Sequence, residues 1–159
     1  MMLTYRVEVK RAHARDAEAL LERGLRAADE RELWRVSGIT PADALQRSME
    51  LSHVEAGIFV NDVIVALLGV GSMEGDCEKT GLPWLMGHDD FERKETAVSM
   101  LRISKRFVEC WATEFRRLCN LADPEHAKSM RYLEWLGFVI EWDKPLFGPF
   151  GDRLVYFWR

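Results

Sequence analysis

Residues 120–141 read NLADPEHAKSMRYLEWLGFVIE and carry the most informative pattern in the chain. The apolar residues at the start belong to a short run that favours a strand, and the Asp-Pro pair at 123–124 marks the entry to a helix. We expect this helix to run to about Leu136 and to stop at Gly137. Residues 138–142 are mostly apolar and predict another strand. The stretch therefore predicts a strand, a helix and a strand in succession.

The segment before it predicts a buried strand and a long helix. Residues 82–86, LPWLM, form a short apolar run that Gly87 ends. Asp89 and Glu92 then resemble the capping pair at a helix N-terminus. Apolar residues recur at helical spacing over residues 98–118. A long amphipathic helix is therefore expected to follow this strand.

The N-terminal half predicts a strand, two helices and a hairpin. Polar and apolar residues alternate over residues 5–10, which is the period of a half-buried strand. Residues 14–28 have helical spacing, and a second helix opens at Thr40. Two apolar runs, residues 56–60 and 63–70, flank an Asn-Asp pair that tolerates the positive φ angles of a two-residue turn. The predicted order is β-α-α-β-β-β-α-β-α-β-β.

Length and composition fit one globular domain. The 159 residues are 48% hydrophobic and 30% charged, so the chain is long and apolar enough to bury a core. The element order indicates the α/β (α+β) class, with helices flanking one mixed sheet. We therefore expect a single domain over residues 1–159.

Charge and cysteine content exclude several classes of partner. The net charge is -4, and the basic residues between positions 102 and 117 are spread around a helix, so no nucleic acid partner is expected. No segment reaches the ~20 apolar residues that a membrane span requires. Cys77, Cys110 and Cys119 lack CxxC spacing, which favours free thiols in a reducing compartment. The sequence predicts a soluble, cytoplasmic protein.

Several common chemistries are also excluded by spacing. The histidines and cysteines never reach metal-ligand spacing such as HExxH, so no metal site is expected. No GxSxG nucleophile elbow and no phosphate-binding loop of the Walker type is present. Gly69 and Gly71 lie at the end of a strand and not before a helix, so they are not a dinucleotide fingerprint.

The predicted order resembles that of the Gcn5-related N-acetyltransferases, the GNAT superfamily. Residues 120–141 look like the strand–helix–strand of that superfamily around its Gly-Phe pair. More narrowly, PWLMG at 83–87 and residues 121–138 resemble the acetyltransferase-like proteins of T7-like bacteriophages, a family sometimes labelled an internal virion or core protein. The resemblance implies a mostly antiparallel sheet that splays into a V between residues 82–86 and residues 118–122. For a phage-encoded protein it implies the cytoplasm of the host cell.

The resemblance also implies acetyl-CoA as the cofactor. Its pantetheine arm would lie in the V beside Leu85 and Met86, and its pyrophosphate would contact the backbone of residues 87–93. The usual glycine-rich loop is replaced there by GHDDFERK, whose two aspartates would repel a phosphate. Gly87, Arg93 and Lys94 are the candidate pyrophosphate contacts, and His126 is placed to donate to a cofactor amide.

The catalytic candidates implied by the resemblance are a tyrosine and a histidine. Enzymes of the superfamily often carry a tyrosine four residues before the Gly, as general acid for the leaving thiolate. Leu133 holds that position here, and the nearest tyrosine is Tyr132, which is a candidate general acid or a side chain at the edge of the core. His88 is the candidate general base. The alternatives, all of which also fit solvated loop charges, are Glu55, Glu74 and Asp76.

Two functions follow from these patterns. One is a phage-encoded N-acetyltransferase with weak catalysis, which moves an acetyl group to an amine of a protein or small molecule. The other is a catalytically degenerate module that binds and modulates a host enzyme or assists virion assembly. Trp142, Phe147 and Phe150 are the expected surface for such a protein partner, while Trp135 and Trp158 are expected to fill the sheet. The oligomeric state stays open.

Overall fold

The computed structural model of this chain describes residues 4–72, 75 and 79–159. Three residues discussed above, Glu74, Asp76 and Cys77, lie outside the described residues. Within the described part, eight strands, five α-helices and one 3-10 helix follow one another in a single order. They are β1 Val7–Arg11, α1 Ala14–Arg23, α2 Ala27–Ser37, α3 Pro41–Leu51, β2 Ser52–Val60, β3 Val63–Ser72, β4 Thr80–Gly87, the 3-10 helix Asp89–Glu92, α4 Ala97–Glu114, β5 Arg117–Ala122, α5 Ala127–Trp135, β6 Val139–Ile140, β7 Leu146–Phe147 and β8 Arg153–Trp158.

The strands form one mixed sheet in the order β1-β2-β3-β4-β5-β8-β6, with β7 paired to β8. All neighbouring strands are antiparallel except β4 and β5. These two pair at only two positions, Thr80 with Arg117 and Gly81 with Leu118, and then separate. The predicted fold class and the predicted V are therefore confirmed.

Gly81 explains why the strands meet at the apex of the V. A Cβ at this position would lie 2.8–2.9 Å from side-chain atoms of Leu118, Phe115 and Val70. Real Cβ atoms do not approach so closely without a shift of the neighbouring groups. The absence of a side chain therefore lets β3, β4 and β5 pack tightly where the V begins.

The predicted hairpin is also confirmed. Asn61 and Asp62 join β2 to β3 with φ angles of 49° and 65°, which are the left-handed values that a two-residue turn requires. Asn and Asp adopt these angles more readily than other non-glycine residues. The turn sets the register of β2 against β3, and β3 in turn pairs with β4, one of the two strands that border the site.

Three predicted elements differ from the structure. The helix expected over residues 14–28 ends at Gly24, whose φ of 92° and N–H bond to the Leu20 carbonyl close α1, and the separate helix α2 was not predicted. The long helix begins after Thr96 and not after Asp89, because residues 89–92 form a separate 3-10 helix. The strand expected over residues 138–142 is only Val139–Ile140.

Apolar side chains pack in two clusters, one on each face of the sheet. Side chains alternate along β4, so Leu85 packs with α4 and α5, whereas Trp84 and Met86 pack with α1, α2 and α3 on the other face. Leu45 and Ile58 are among the most enclosed side chains, and full burial of such a side chain contributes about 1.5–3 kcal/mol. No helix in the described part of the chain is long and apolar enough to cross a membrane.

Candidate active site

A cavity of about 520 Å³ lies where β4 and β5 separate. Its walls include residues of α2 from one face of the sheet and residues of α4 and α5 from the other. Leu33 of α2 packs in the apolar cluster that contains Trp84 and Met86, and Leu133 of α5 packs in the cluster that contains Leu85. The cavity therefore connects the two faces of the sheet through the gap in the V.

One side chain bridges the two strands inside this gap. The Asn120 amide Nδ2 donates to the Pro83 carbonyl oxygen at 3.0 Å, and its Oδ1 accepts from the Leu121 N–H at 2.8 Å. This contact replaces the backbone ladder that β4 and β5 lack beyond Gly81. It limits how far the V opens, and it leaves the cavity between the strands.

The α2 wall contains a buried ion pair. Arg26 and Asp29 form two hydrogen bonds of 2.8 and 2.9 Å, and Arg26 also contacts the Glu92 carboxylate at 3.2 Å. Burial raises the pKa of Asp29, while the adjacent Arg26 lowers it. The Asp29 Oδ2, which accepts from Arg26 Nε, also accepts the Gly87 N–H at 2.9 Å. The end of β4 is thus fastened to α2 through a carboxylate.

Glu32 lies one helical turn further along α2, in the wall of the same cavity. Its Oε2 accepts the backbone N–H of Asp123 at 2.9 Å. Burial raises the pKa of Glu32 to about 7, and the charges of Asp29 and Asp123 raise it further, while the Asp123 hydrogen bond lowers it. A carboxyl group with a pKa near neutrality can take up and release a proton under physiological conditions.

The Asp123 side chain holds the far side of this arrangement. It is fully buried, and two arginines of α2, Arg31 and Arg35, each contact its carboxylate at 3.1 Å. The Glu125 N–H donates to the same carboxylate at 3.0 Å. The end of β5 and the approach to α5 are thereby held against α2, which fixes the backbone N–H that Glu32 accepts.

Tyr132 lines the cavity from α5. Burial raises the pKa of its phenol, and a hydrogen bond with the Ser104 side chain of α4 opposes that shift. The phenol is therefore protonated at neutral pH and able to donate a proton into the cavity. Tyr132 therefore lines the cavity, and its role as general acid stays a prediction.

Leu85 and Met86 line the cavity, as the sequence predicts, whereas the candidate base does not. The His88 Nδ1 accepts the Asp90 N–H at 3.1 Å and so caps the 3-10 helix. His88 is not among the residues that line the cavity. Its assignment as general base stays a prediction.

Arg93 and Lys94, the two candidate phosphate contacts after Gly87, differ in their surroundings. Arg93 donates to the Asp90 carboxylate at 2.7 Å, and Lys94 is exposed. Both stand outside the cavity lining, at the segment that leads into α4. Arg93 therefore already has a carboxylate partner, whereas Lys94 is exposed near the start of α4.

The backbone amides expected to hold a pyrophosphate largely have protein partners. Gly87 donates to Asp29, His88 to the Val65 carbonyl, and Phe91 to the His88 carbonyl. A phosphate at this segment would have to displace these bonds. The first turn of α4 is more suitable for an anion, because it carries no acidic side chain and the Thr96 hydroxyl donates to a carbonyl and does not cap the helix.

His126 stands just before α5, beside the charged rim of the cavity. Its Nδ1 lies 2.7 Å from the Ser129 hydroxyl. Burial and the charge of Arg26 lower the pKa of His126, and the nearby acidic side chains oppose this shift. Lys128, two residues after His126, contacts Glu92 at 3.2 Å. His126 is therefore neutral near pH 7 and able to donate or accept one hydrogen bond.

The charged wall formed by Arg26, Asp29 and Glu32 was missed by the sequence reasoning. These residues lie at spacing i, i+3, i+6, which puts them on one face of a helix. The spacing is a usable signal only once α2 is recognised as a helix separate from α1. Glu32 also takes its meaning from Asp123, which is 91 residues away in the chain.

Comparison with known proteins gives matches at the level of structure. No family model matches the sequence, and no curated protein matches it. The Salmonella typhimurium protein yncA, solved with acetyl-CoA, has a TM-score of 0.70 at 14% identity over 97% of this chain and 93% of its own. A spermidine N-acetyltransferase from Vibrio cholerae, solved with CoA and spermine, has a TM-score of 0.65 at 10% identity over 96% and 94%.

A GNAT-family acetyltransferase from Bacillus anthracis also matches, with a TM-score of 0.64 at 14% identity over 97% of this chain and 94% of that one. At such identities the likeness concerns the fold. It covers nearly the whole chain. The chain therefore has the fold of the GNAT acetyltransferases.

Proposed function

We propose that this protein transfers the acetyl group of acetyl-CoA to a primary amine. The observation that carries the proposal is the cavity that crosses the sheet between β4 and β5, with a buried phenol on one wall and a buried carboxyl group on another. A passage open to both faces allows an amine and a thioester to approach each other from opposite sides. Two structures of the same fold were solved with CoA or acetyl-CoA, which supports the same ligand here.

The cavity residues fit the pantetheine arm of this cofactor. Beyond Gly81, β4 does not pair with β5, so its edge at Leu85 and Met86 is open to the amides of an extended ligand. The apolar side chains around them suit a flexible, mostly uncharged arm. The first turn of α4 offers helix-end amides for the phosphates, with Lys94 nearby. Acetyl-CoA, when bound, would supply the activated acetyl thioester.

The chain itself supplies proton transfer and orientation. Tyr132 holds a proton at its phenol oxygen and faces the cavity, where a departing thiolate would need one. The Asn120 bridge to Pro83 keeps the strands at a fixed separation. Holding two reactants in one orientation lowers the activation free energy by several kcal/mol. We propose that this is the larger part of the rate enhancement at this site.

A second proposal is a GNAT-fold module that binds another protein. In its narrower form this module is phage-encoded, acts in the host cytoplasm, and either modulates a host enzyme or assists virion assembly. An aromatic surface favours it. Trp34 and Phe150 stack at 4.8 Å, although they are 53% and 57% exposed, and Phe147 is 69% exposed. Exposed aromatic side chains are common anchors of protein interfaces. Such a module would be catalytically degenerate.

Two measurements on the whole chain separate the proposals. Isothermal titration calorimetry with acetyl-CoA and with desulfo-CoA tests binding, and a thiol-release assay with a panel of primary amines tests transfer. Micromolar binding of both ligands with amine-dependent thiol release supports the acetyltransferase. Absence of binding at millimolar acetyl-CoA contradicts it and favours the module.

A further inference from the structure

Glu32 differs from the other carboxylates around the cavity in having no cationic partner. Asp29 pairs with Arg26, and Glu92 pairs with Arg26 and Lys128. Within the part of the chain that the structure describes, no lysine, arginine or histidine forms an ion pair with Glu32. The Asp123 N–H donates a hydrogen bond to its Oε2. One carboxyl oxygen therefore stays available to a cation that enters the cavity.

We propose that Glu32 binds the ammonium group of the acceptor and removes its proton, and that the acceptor is a primary amine with an apolar carbon frame and no carboxylate beside the amine. This inference rests on the function proposed above. It names the base, which sequence reasoning placed at His88, and the chemical class of the acceptor.

The surroundings of Glu32 select for an apolar frame. Leu33 and Val36 of α2 and Trp84 of β4 line the same cavity. The Trp84 indole N–H is already bonded to the Ser52 hydroxyl at 2.7 Å, so the ring offers the cavity mainly its apolar surface. An aliphatic or aromatic amine would bury its carbon atoms there while its ammonium group contacts the carboxylate.

The charges around Glu32 select against a carboxylate on the acceptor. Asp29 lies one turn before it on α2, and Glu92 contributes another acidic group to the wall. Arg26 is already paired with both of them, and Lys128, another cation of the lining, is paired with Glu92. A free α-carboxylate would sit against these acidic groups without a cation of its own, and like charges in a poorly solvated site repel strongly.

The pKa of Glu32 suits the removal of a proton from the acceptor ammonium group near neutral pH. The groups that face it are Asp29 and Arg26 of α2 and Asp123 beyond β5, which is itself held by Arg31 and Arg35. Glu92, Lys128 and Tyr132 face the cavity from the 3-10 helix and α5. Burial and the two aspartates raise the pKa of Glu32 to about 7, so the carboxylate form that accepts a proton predominates only above that pH.

The reaction begins with the loss of a proton from the ammonium group of the acceptor. An N–H bond of the ammonium breaks, the proton moves to the free oxygen of Glu32, and the electron pair stays on nitrogen. Transfer then forms the C–N bond of the amide and breaks the C–S bond of the thioester. The sulfur gains one proton and the nitrogen loses its second, so the net products are the amide, the thiol and the proton that Glu32 releases to water.

The test compares Glu32→Gln with Glu30→Gln, an exposed carboxylate on the same helix that serves as the matched control. The acceptors are 2-phenylethylamine and phenylalanine, which differ only by the carboxylate. We expect kcat/KM for the amine to exceed that for the amino acid at least tenfold. We expect Glu32→Gln to lower kcat/KM for the amine by about 10²-fold and to remove the limb of the pH profile near 7, with acetyl-CoA affinity unchanged.

A readout without acetyl-CoA keeps this inference separate from the proposed function. Carbon NMR of glutamate-labelled protein should show one carboxyl that titrates near pH 7 in the wild type and is missing in Glu32→Gln. Adding 2-phenylethylamine should lower that midpoint, because the cation stabilises the carboxylate. Midpoints that do not move with the amine overturn the inference, whatever acetyl-CoA does. Amine-dependent turnover that Glu32→Gln leaves intact overturns it while the acetyltransferase stands.

Discussion

The backbone N–H of Asp123 donates to Oε2 of Glu32 across 2.9 Å and links the end of β5 to the middle of α2. The Asp123 side chain is held at the same time by Arg31, which directly precedes Glu32, and by Arg35, which lies one turn after it. The Asp123 backbone N–H thus orients the Glu32 carboxyl group and lowers its pKa, whereas burial and the charge of the Asp123 side chain raise that pKa. This arrangement positions Glu32 without giving it a counter-ion, which distinguishes it from an ordinary structural ion pair.

The first prediction is that Glu32→Gln stabilises the fold increasingly as pH rises. The pKa of Glu32 is about 7 in the folded chain and 4.5 in the reference state, so the folded chain binds more protons between these values. Stability must then fall as pH rises from 4.5 through 7. The glutamine keeps an oxygen for the Asp123 N–H and has no charge to bury. We expect its advantage over the wild type to grow by about 2–3 kcal/mol between pH 5 and pH 8.

Urea unfolding of both proteins at the two pH values measures this difference. Other titrating groups affect the two proteins equally, so the change in the difference isolates Glu32. Glu30→Gln is the control and should show the same pH dependence as the wild type. An advantage of Glu32→Gln that is constant over this range would mean that Glu32 ionises normally.

Sequence patterns predicted the two strands that border the V, but they did not predict the charged wall formed by Arg26, Asp29 and Glu32. Residues 82–86 and 118–122 are short apolar runs that end at Gly87 and at the Asp-Pro pair. Such runs predict strands from neighbouring residues alone, without knowledge of the tertiary structure. The V itself came from the family resemblance. Position 32 carries no comparable local signal, because its burial and its hydrogen bond depend on a strand end 91 residues away.

The aromatic residues show the same limit. Trp142, Phe147 and Phe150 are exposed, as predicted, because they lie in or beside a loop that contains Gly and Pro. Trp135 was expected to fill the sheet and is 49% exposed, so that expectation is wrong. It lies on the outer side of α5 beneath the Lys105 ammonium, which approaches its ring to 5.5 Å. A helical period alone did not determine which side of α5 faces inward.

The second prediction concerns the apex of the V. Gly81→Ala would place a methyl group within 2.8–2.9 Å of side-chain atoms from β3, β5 and the end of α4. Overpacking of this kind typically costs about 1–3 kcal/mol. Gly71→Ala is the control, because its nearest neighbour would be 3.5 Å away, which is ordinary contact. Thermal or urea unfolding should show a clear loss for the first variant and little change for the second.

The third prediction concerns the anchor for the cofactor phosphates. Replacing both Arg93 and Lys94 with Glu reverses two charges next to the first turn of α4. We expect acetyl-CoA to bind more weakly by roughly two to three kcal/mol, the scale of two charge-assisted contacts. The same double change at Lys105 and Arg106, two turns further along α4, is the control. Calorimetry in which both double variants bind like the wild type would place the phosphates elsewhere.

The last prediction concerns Tyr132 as the proton donor. Tyr132→Phe keeps the ring in the cavity wall and removes the phenol proton, and a single acid–base group typically contributes 10²–10⁴-fold. We expect the low end of that range, a fall in kcat of about 10²-fold, because a CoA thiolate with a pKa near ~8.5 also leaves unaided. The affinity for acetyl-CoA should change little.

Tyr5→Phe is the control for this substitution, because Tyr5 neighbours Arg93 and not the cavity. A thiol-release assay on the wild type and both variants, with one amine at several pH values, measures the effect. An alkaline limb in the wild-type profile that Tyr132→Phe removes would assign that limb to the phenol, because the protonated form is the one that donates. Equal turnover in all three proteins would instead make Tyr132 a packing residue, and the thiolate would then take its proton from water.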